Sequence, residues 1–226
     1  MAPQVTVTEE RVVIETSKHA VTGAWAWPPG ARAAVVVGHG AGSNLDSPLL
    51  LGFSACLNEA GFGTLRFNFP YMEQGRKAPD SSAVLVATSR AAHDFAAVRA
   101  GKKHVFVGGK SMGGRIASMA VAEGMPADGL IFLGYPLHPP GKPDKLRDEH
   151  LYRIRVPMLF VEGTEDPFAR FDLMKALTSK LGRWAVLHPV EGGDHSFRVR
   201  GARRPDEEIG RLLGSVAARF MQSAQV

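Results

Sequence analysis

Cysteine is all but missing from this chain. Cys56 is the only one among 226 residues, so no intramolecular disulfide can close, and a reducing compartment fits. Its place in an apolar helical pattern reads as a packed small hydrophobe. No apolar run approaches the length of a membrane span. Met1 to Arg11 holds no apolar segment flanked by basic residues, so no secretory signal is expected and the cytoplasm is the default compartment. Internal repeats, low-complexity tracts and interdomain linkers are also lacking. No pair of histidines has metal-ligand spacing and the cysteine is alone, so neither metal nor cofactor is expected.

Two glycine fingerprints are incomplete. Gly109-Lys110-Ser111 ends like a phosphate loop, but that loop needs glycine at position 104, where His104 stands inside a strand pattern. Gly38-His39-Gly40-Ala41-Gly42 follows a strand pattern, but the dinucleotide motif needs glycine at 43, where Ser43 stands. It also needs an acid at the end of the next strand, and Thr64 to Pro70 offers none. Charge is not extreme. Lys+Arg number 27 against 22 Asp+Glu, a formal balance of +5. The basic clusters Lys102-Lys103, Arg153 with Arg155, and Arg198 to Arg204 are short and carry no interleaved aromatics, so they read as solvated surface and not as a nucleic-acid face.

What is present is a regular alternation of strand and helix patterns. Val5 to Thr16 and His19 to Trp27 alternate and predict two antiparallel edge strands. Ala33 to Val37 is continuously apolar, as in a strand covered on both faces. Ser47-Pro48 then opens a helix carrying Leu49, Leu50, Phe53 and Leu57. Strands are expected at Thr64–Phe69, Lys103–Gly108, Gly129–Leu133, Met158–Glu162 and Trp184–Val190. Between them lie a polar loop at 71–80, a helix after Ser81-Ser82 with Val84, Ala87, Ala91, Phe95 and Val98 on its inner face, a helix after Ser111, and a helix over Pro167–Leu181 with Phe168, Phe171, Met174, Leu177 and Leu181 inward. A final helix after Pro205 turns Ile209, Leu212, Leu213, Val216, Ala217 and Phe220 inward. Such an order predicts an α/β fold, a doubly wound, mostly parallel sheet with helices on both faces. Ligands of such sheets bind beyond the carboxyl ends of the strands.

Gly109-Lys110-Ser111-Met112-Gly113 is G-x-S-x-G between a strand and a helix, the context in which the serine is lifted out on a sharp turn. A glycine-rich turn with an ordinary capping serine is the competing reading. A serine hydroxyl needs a base to become a nucleophile. His195, in Glu191-Gly192-Gly193-Asp194-His195-Ser196-Phe197, follows the last strand and so lies on the same sheet edge as Ser111. The imidazole in turn needs a carboxylate to hold its tautomer. Asp166, just past the strand Met158–Glu162, is preferred. Helix capping before Pro167 is its competing role. Asp194, next to His195, and Glu165, next to Asp166, would point elsewhere. Ser111, Asp166 and His195 then stand in the chain order that this kind of elbow requires.

These motifs, with Gly38-His39-Gly40 and Gly163-Thr164-Glu165-Asp166, resemble the α/β-hydrolases over Ala33 to Phe220. Gly108 to Arg115 and Leu133-Gly134-Tyr135-Pro136-Leu137-His138 are similar to a small, dienelactone-hydrolase-like branch, which also includes hydrolase-like domains of regulatory proteins. Bacterial dienelactone hydrolases proper carry cysteine where Ser111 stands, which argues against dienelactone as substrate. The resemblance implies a single hydrolase domain over residues 1–226 and a serine hydrolase acting on a small-molecule ester, with thioester or lactone as variants. It also implies oxyanion donors at the backbone N–H groups of Ala41 and Met112. A scaffold or binding protein with little turnover is the alternative. Gly134 to Val156, where larger members insert a cap, is too short for one, so an open cleft is expected, walled by His39, Tyr71, Tyr135, His138, Phe168 and Phe197. Lys110 is expected to point away from it. No nucleic-acid or membrane partner is implied.

Overall fold

The structure, a computed structural model, describes residues 7–224. One sheet of eight strands runs through it: β1 (Glu9–Glu15), β2 (Ala20–Ala26), β3 (Ala33–Gly38), β4 (Gly63–Phe67), β5 (His104–Lys110), β6 (Gly129–Leu133), β7 (Met158–Gly163) and β8 (Ala185–Val190). Their spatial order is β1-β2-β4-β3-β5-β6-β7-β8. The first two strands join antiparallel, and β2 meets β4 antiparallel. From β4 onward every pairing is parallel. The chain lays β4 on one side of β3 and then crosses to lay β5 on the other. Beyond the carboxyl ends of β3 and β5 the connections diverge, which opens the crevice where such sheets hold ligands. The start of the first expected strand, at Val5, lies outside the described residues.

Six helices are described: α1 (Pro48–Glu59), α2 (Pro70–Glu73), α3 (Ser82–Ala100), α4 (Met112–Ala122), α5 (Phe171–Leu181) and α6 (Asp206–Ala224). Helices α1 and α6 cover one sheet face with Leu50, Phe53, Leu57, Leu213 and Ala217. Helices α3, α4 and α5 cover the other, with Leu85, Ala96, Ile116, Ala117, Met174 and Leu177. Strands β3, β6 and β7 are buried along their whole length, as their continuous apolar runs require. Phe106 on β5, Phe132 on β6 and Phe160 on β7 are fully buried, and each contributes about 1.5–3 kcal/mol by leaving water.

Four local expectations are corrected. The segment 71–80 is not all loop, because Pro70 starts the short helix α2. Helix α5 begins at Phe171 and not at Pro167, because the segment after β7 first turns through Asp166. Helix α3 buries Leu85, Val86, Ala92 and Ala96 and leaves Val98 83% exposed. Small alanines let its backbone approach the sheet, so the larger residues Val84, Phe95 and Val98 are displaced to the margin of the contact or beyond it. On α6, Leu212 is likewise exposed, while Ile209, Leu213, Ala217 and Phe220 are buried.

Helices α1 and α6 meet through glycines. A Cβ on Gly210 would stand 2.0 Å from the Leu49 carbonyl oxygen, and one on Gly52 would stand 1.9 Å from that of Glu207. Both obstacles are backbone and cannot rotate aside. Alanine at position 210 gains about 1 kcal/mol of helix propensity but forces the pair apart, at a cost of about 1–3 kcal/mol. Gly210→Ala is therefore expected to lower the urea midpoint. An unchanged midpoint would show that the two helices separate freely.

Candidate active site

Strand β5 ends in the turn that carries Ser111. The backbone there is forced: Ser111 has φ +50°, and Gly109 has φ +149°. A Cβ on Gly109 would lie 2.1 Å from the Gly38 carbonyl oxygen, and one on Gly113 2.2 Å from the same atom. Glycine is required at both places because β3 and the start of α4 close on the turn from either side. The Ser111 N–H donates to the Leu133 carbonyl at 3.0 Å, which ties the turn to the end of β6. A left-handed non-glycine residue stores roughly 1–3 kcal/mol of strain.

The segments after β7 and β8 are bound to each other. Glu165 N–H donates to the Gly193 carbonyl at 2.9 Å, and Gly192 N–H donates to the Thr164 hydroxyl at 2.8 Å. A Cβ on Gly163 would meet the Gly193 carbonyl oxygen at 2.2 Å, so the two segments are in backbone contact. Asp194 accepts N–H bonds from Ser196 and Arg198 at 2.8 and 2.9 Å. It shapes the loop that presents His195 and does not meet the imidazole. Asp166 takes an N–H from Phe168 at 2.7 Å, which closes a tight turn where a helix cap was the competing expectation.

Through this scaffold three side chains far apart in the chain converge. His195 Nε2 lies 2.8 Å from Ser111 Oγ, and His195 Nδ1 lies 2.6 Å from Asp166 Oδ2. A carboxylate only accepts, so Nδ1 carries the proton and Nε2 is free to accept from the hydroxyl. Burial works against the charged form of Asp166, but the hydrogen bonds from His195, Glu162 and the Phe168 N–H outweigh it and hold the carboxyl below its usual range. Neither Met112 N–H nor Ala41 N–H makes a hydrogen bond among the described residues; Met112 opens α4 directly after the serine, and Ala41 lies in the segment after β3.

Of the expected cleft walls, only Phe168 is partly open, its ring 4.4 Å from that of His195. His39, Tyr71, Tyr135, His138 and Phe197 are buried, and Phe197 borders a concavity on the α6 side together with His188, Ile209 and Leu213. His39 donates from Nδ1 to the Gly40 carbonyl and accepts the Phe69 N–H at Nε2. Burial drives its pKa down to about 4, so it stays neutral and braces the loop after β3. His138 likewise bridges two backbone groups, the Pro139 carbonyl and the Arg170 N–H. Tyr135 packs on Phe132 and Phe160, and Phe197 faces the α6 side of the sheet. A concavity of about 860 Å³ lined by Arg198, Val199, Arg203, Arg204, Pro205 and Asp206 contains none of the three converging residues.

Two residues near the site were not foreseen. Lys110 turns inward. Its ammonium lies 5.6 Å from the Phe197 ring centre and beside Gly134, within 3.1 Å of where a Cβ there would stand. Burial lowers its pKa to about 8, opposed by Asp166, Glu162 and Asp194. Glu162, the acid at the end of β7, is completely buried. A glutamate closing an otherwise apolar strand was the available signal. Among the described residues no group of three or more His, Cys, Asp or Glu side chains is arranged to hold a metal ion, and no helix is long and apolar enough to cross a membrane.

Residues 31–224 match the family model of the alpha/beta hydrolase domain. Among solved structures, the fold is similar to that of a dienelactone hydrolase from Anabaena variabilis, with TM-score 0.78, 22% identity, and coverage of 96% of this chain and 98% of that one. It is also similar to a serine hydrolase without a lid from Xanthomonas campestris, with TM-score 0.72, 16% identity, and coverage of 96% and 97%. A third likeness is to a cold-adapted esterase from an Arctic intertidal metagenomic library, with TM-score 0.69, 16% identity, and coverage of 97% and 95%. A parallel sheet switching direction beside a serine on a strained strand-to-helix turn, matched by the family model over nearly its whole length, places this chain in the α/β-hydrolase family.

Proposed function

We propose that this protein is a cofactor-independent serine hydrolase that cleaves small carboxylic esters through an acyl-enzyme on Ser111. One observation carries the reading: hydroxyl, imidazole and carboxylate form an unbroken hydrogen-bonded chain of 2.8 and 2.6 Å from three separate strand ends. A binding protein has no need of that alignment, which is the argument against a scaffold role. The similar structures described as an esterase and as a dienelactone hydrolase support the same class of chemistry.

The geometry sets the order of events. Ser111 Oγ attacks the ester carbonyl carbon while its proton passes to His195 Nε2. Asp166 stabilises the imidazolium through Nδ1. The carbonyl oxygen, now negative, turns toward the N–H groups of Met112 and Ala41. As the intermediate collapses, the carbon–oxygen bond to the alcohol breaks and Nε2 returns the proton to the leaving oxygen. Water then attacks the acyl carbon, again losing its proton to Nε2, and Ser111 is released with the acid. Phe168, beside the imidazole and partly exposed, supplies an apolar contact at the mouth.

A fluorophosphonate probe is expected to label the wild type and to leave Ser111→Ala and His195→Ala unlabelled. Labelling of Ser111→Ala would reveal a different nucleophile and reject the reading. Ala41→Pro deletes one N–H donor and is expected to lower kcat for p-nitrophenyl acetate by about a hundred- to a thousandfold, with the melting temperature nearly kept. Full activity would place the oxyanion elsewhere. Ser111→Gly is expected to be inactive yet at least as heat-stable as wild type, because relief of about 1–3 kcal/mol of strain exceeds the entropic cost of glycine, about 0.5–1 kcal/mol. A clearly lower melting temperature in calorimetry would show that the turn is not strained.

A further inference from the structure

Glu162 ends a strand that otherwise reads Met158-Leu159-Phe160-Val161, and its side chain is 0% exposed. Its Oε2 accepts a single N–H, from Tyr135 at 2.8 Å. Its Oε1 is buried and has no hydrogen-bond partner while the group is ionised. The charged groups that face it are Lys110 from β5 and Asp166 from the segment after β7. Asp194 and His195, from the loop after β8, face Lys110 and Asp166 in turn. No basic side chain forms an ion pair with Glu162 among the described residues. The Asp166 carboxyl lies within hydrogen-bonding reach of it.

Two carboxylates in contact in the interior cannot both keep their charge. Asp166 has the stronger hold on it, since it accepts N–H groups from both His195 and Phe168. Glu162 has one N–H donor, and leaving an ionised oxygen buried without a partner is costly. The proton therefore rests on Glu162, whose carboxyl then becomes a donor, and Asp166 is the acceptor within reach. We propose that Glu162 is a positioning residue whose protonated carboxyl donates a hydrogen bond to Asp166 and fixes the carboxylate in the orientation that His195 meets. The electrostatics agree. Burial first, and then the neighbouring Asp166, push the Glu162 carboxyl well above the usual carboxylate range. The role assigned to Glu162 rests on the hydrolase reading above, while its protonation does not.

The test uses the full-length protein with Glu162→Gln, which keeps a donor and an acceptor but cannot ionise, and Glu162→Leu, which has neither. The first readout needs no activity. In the folded protein Glu162 keeps a proton that the unfolded chain loses above the ordinary glutamate pKa, so wild-type stability falls relative to Glu162→Gln as pH rises. In urea unfolding, the ratio of wild-type to Glu162→Gln unfolding constants is expected to grow about tenfold per pH unit from roughly pH 4.5 upward, for as long as Glu162 stays protonated in the folded state. A flat ratio overturns the protonated state. The second readout is hydrolysis of p-nitrophenyl acetate. Glu162→Gln should stay within about threefold of wild type with an unmoved pH–rate profile. Glu162→Leu should lose about ten- to a hundredfold in kcat, the scale of one lost hydrogen bond to a charged group. A displaced acidic limb in Glu162→Gln would mean that a charge had been removed, and full activity in Glu162→Leu would mean that nothing was being positioned. Either result rejects the proposal. If Glu162→Leu does not fold, the two Glu162→Gln measurements decide. A separate Ser111→Ala control that still turns over the ester would reject the hydrolase reading and leave the unfolding result standing.

Discussion

Between the ends of β3 and β5 there is room for backbone and for nothing else. Gly38 and Gly109 are paired in register, and the start of α4 closes on the same carbonyl through Gly113. That contact is what compels Ser111 into a left-handed conformation. A larger residue at position 109 or 113 would push β5 away from β3, relax the turn, and let the hydroxyl fall back toward the helix it precedes. The loop after β3 is braced by the neutral His39. Other parts of the site are built outward from this crowding: the serine first, then the imidazole that reaches in from the far end of the sheet.

Much of this could be read from residue order. Continuous apolar runs marked the buried strands, and their alternation with helical patterns implied the parallel sheet. Ser111, Asp166 and His195 each followed a strand, and strand ends of a parallel sheet share one edge, so their meeting was a consequence of topology. The pattern failed where proximity depends on packing in three dimensions. The inner face of α3 was read one residue out of phase, because apolar residues recur at helical spacing both on Val84, Ala91, Phe95 and Val98 and on the face that is buried, Leu85, Ala92 and Ala96. Strand-end placement brought His39, Tyr71, Tyr135, His138 and Phe197 near the site but could not show that they turn into the protein. His39 and His138 illustrate why: each satisfies two backbone groups that would otherwise be orphaned. Glu162 was overlooked because a glutamate at a strand end ordinarily points to solvent, whereas here its carboxyl is met by the Tyr135 N–H from the segment after β6.

The charges around the imidazole form a graded set and not a single pair. Asp166 holds the negative charge, Lys110 stands near it with a depressed pKa of about 8, and Asp194 is occupied by loop N–H groups. Glu162 sits at the dry end of this series. Water is kept from the carboxylate side of His195, while the side facing Ser111 stays open beside Phe168. On the proposed mechanism proton exchange is confined to Nε2, since Nδ1 is committed to a buried acceptor.

Strand β8 is the outermost of the parallel set and is only partly covered, yet the loop behind it delivers the imidazole. The serine rests at the centre of the sheet, behind two covered strands. Local opening of a sheet margin requires far less free energy than collapse of its interior. On the proposed reading the chemistry is thus tied to an edge of the sheet. Fraying of that edge alone would carry His195 away from a hydroxyl still seated in intact structure, silencing the proposed activity while most of the fold persists.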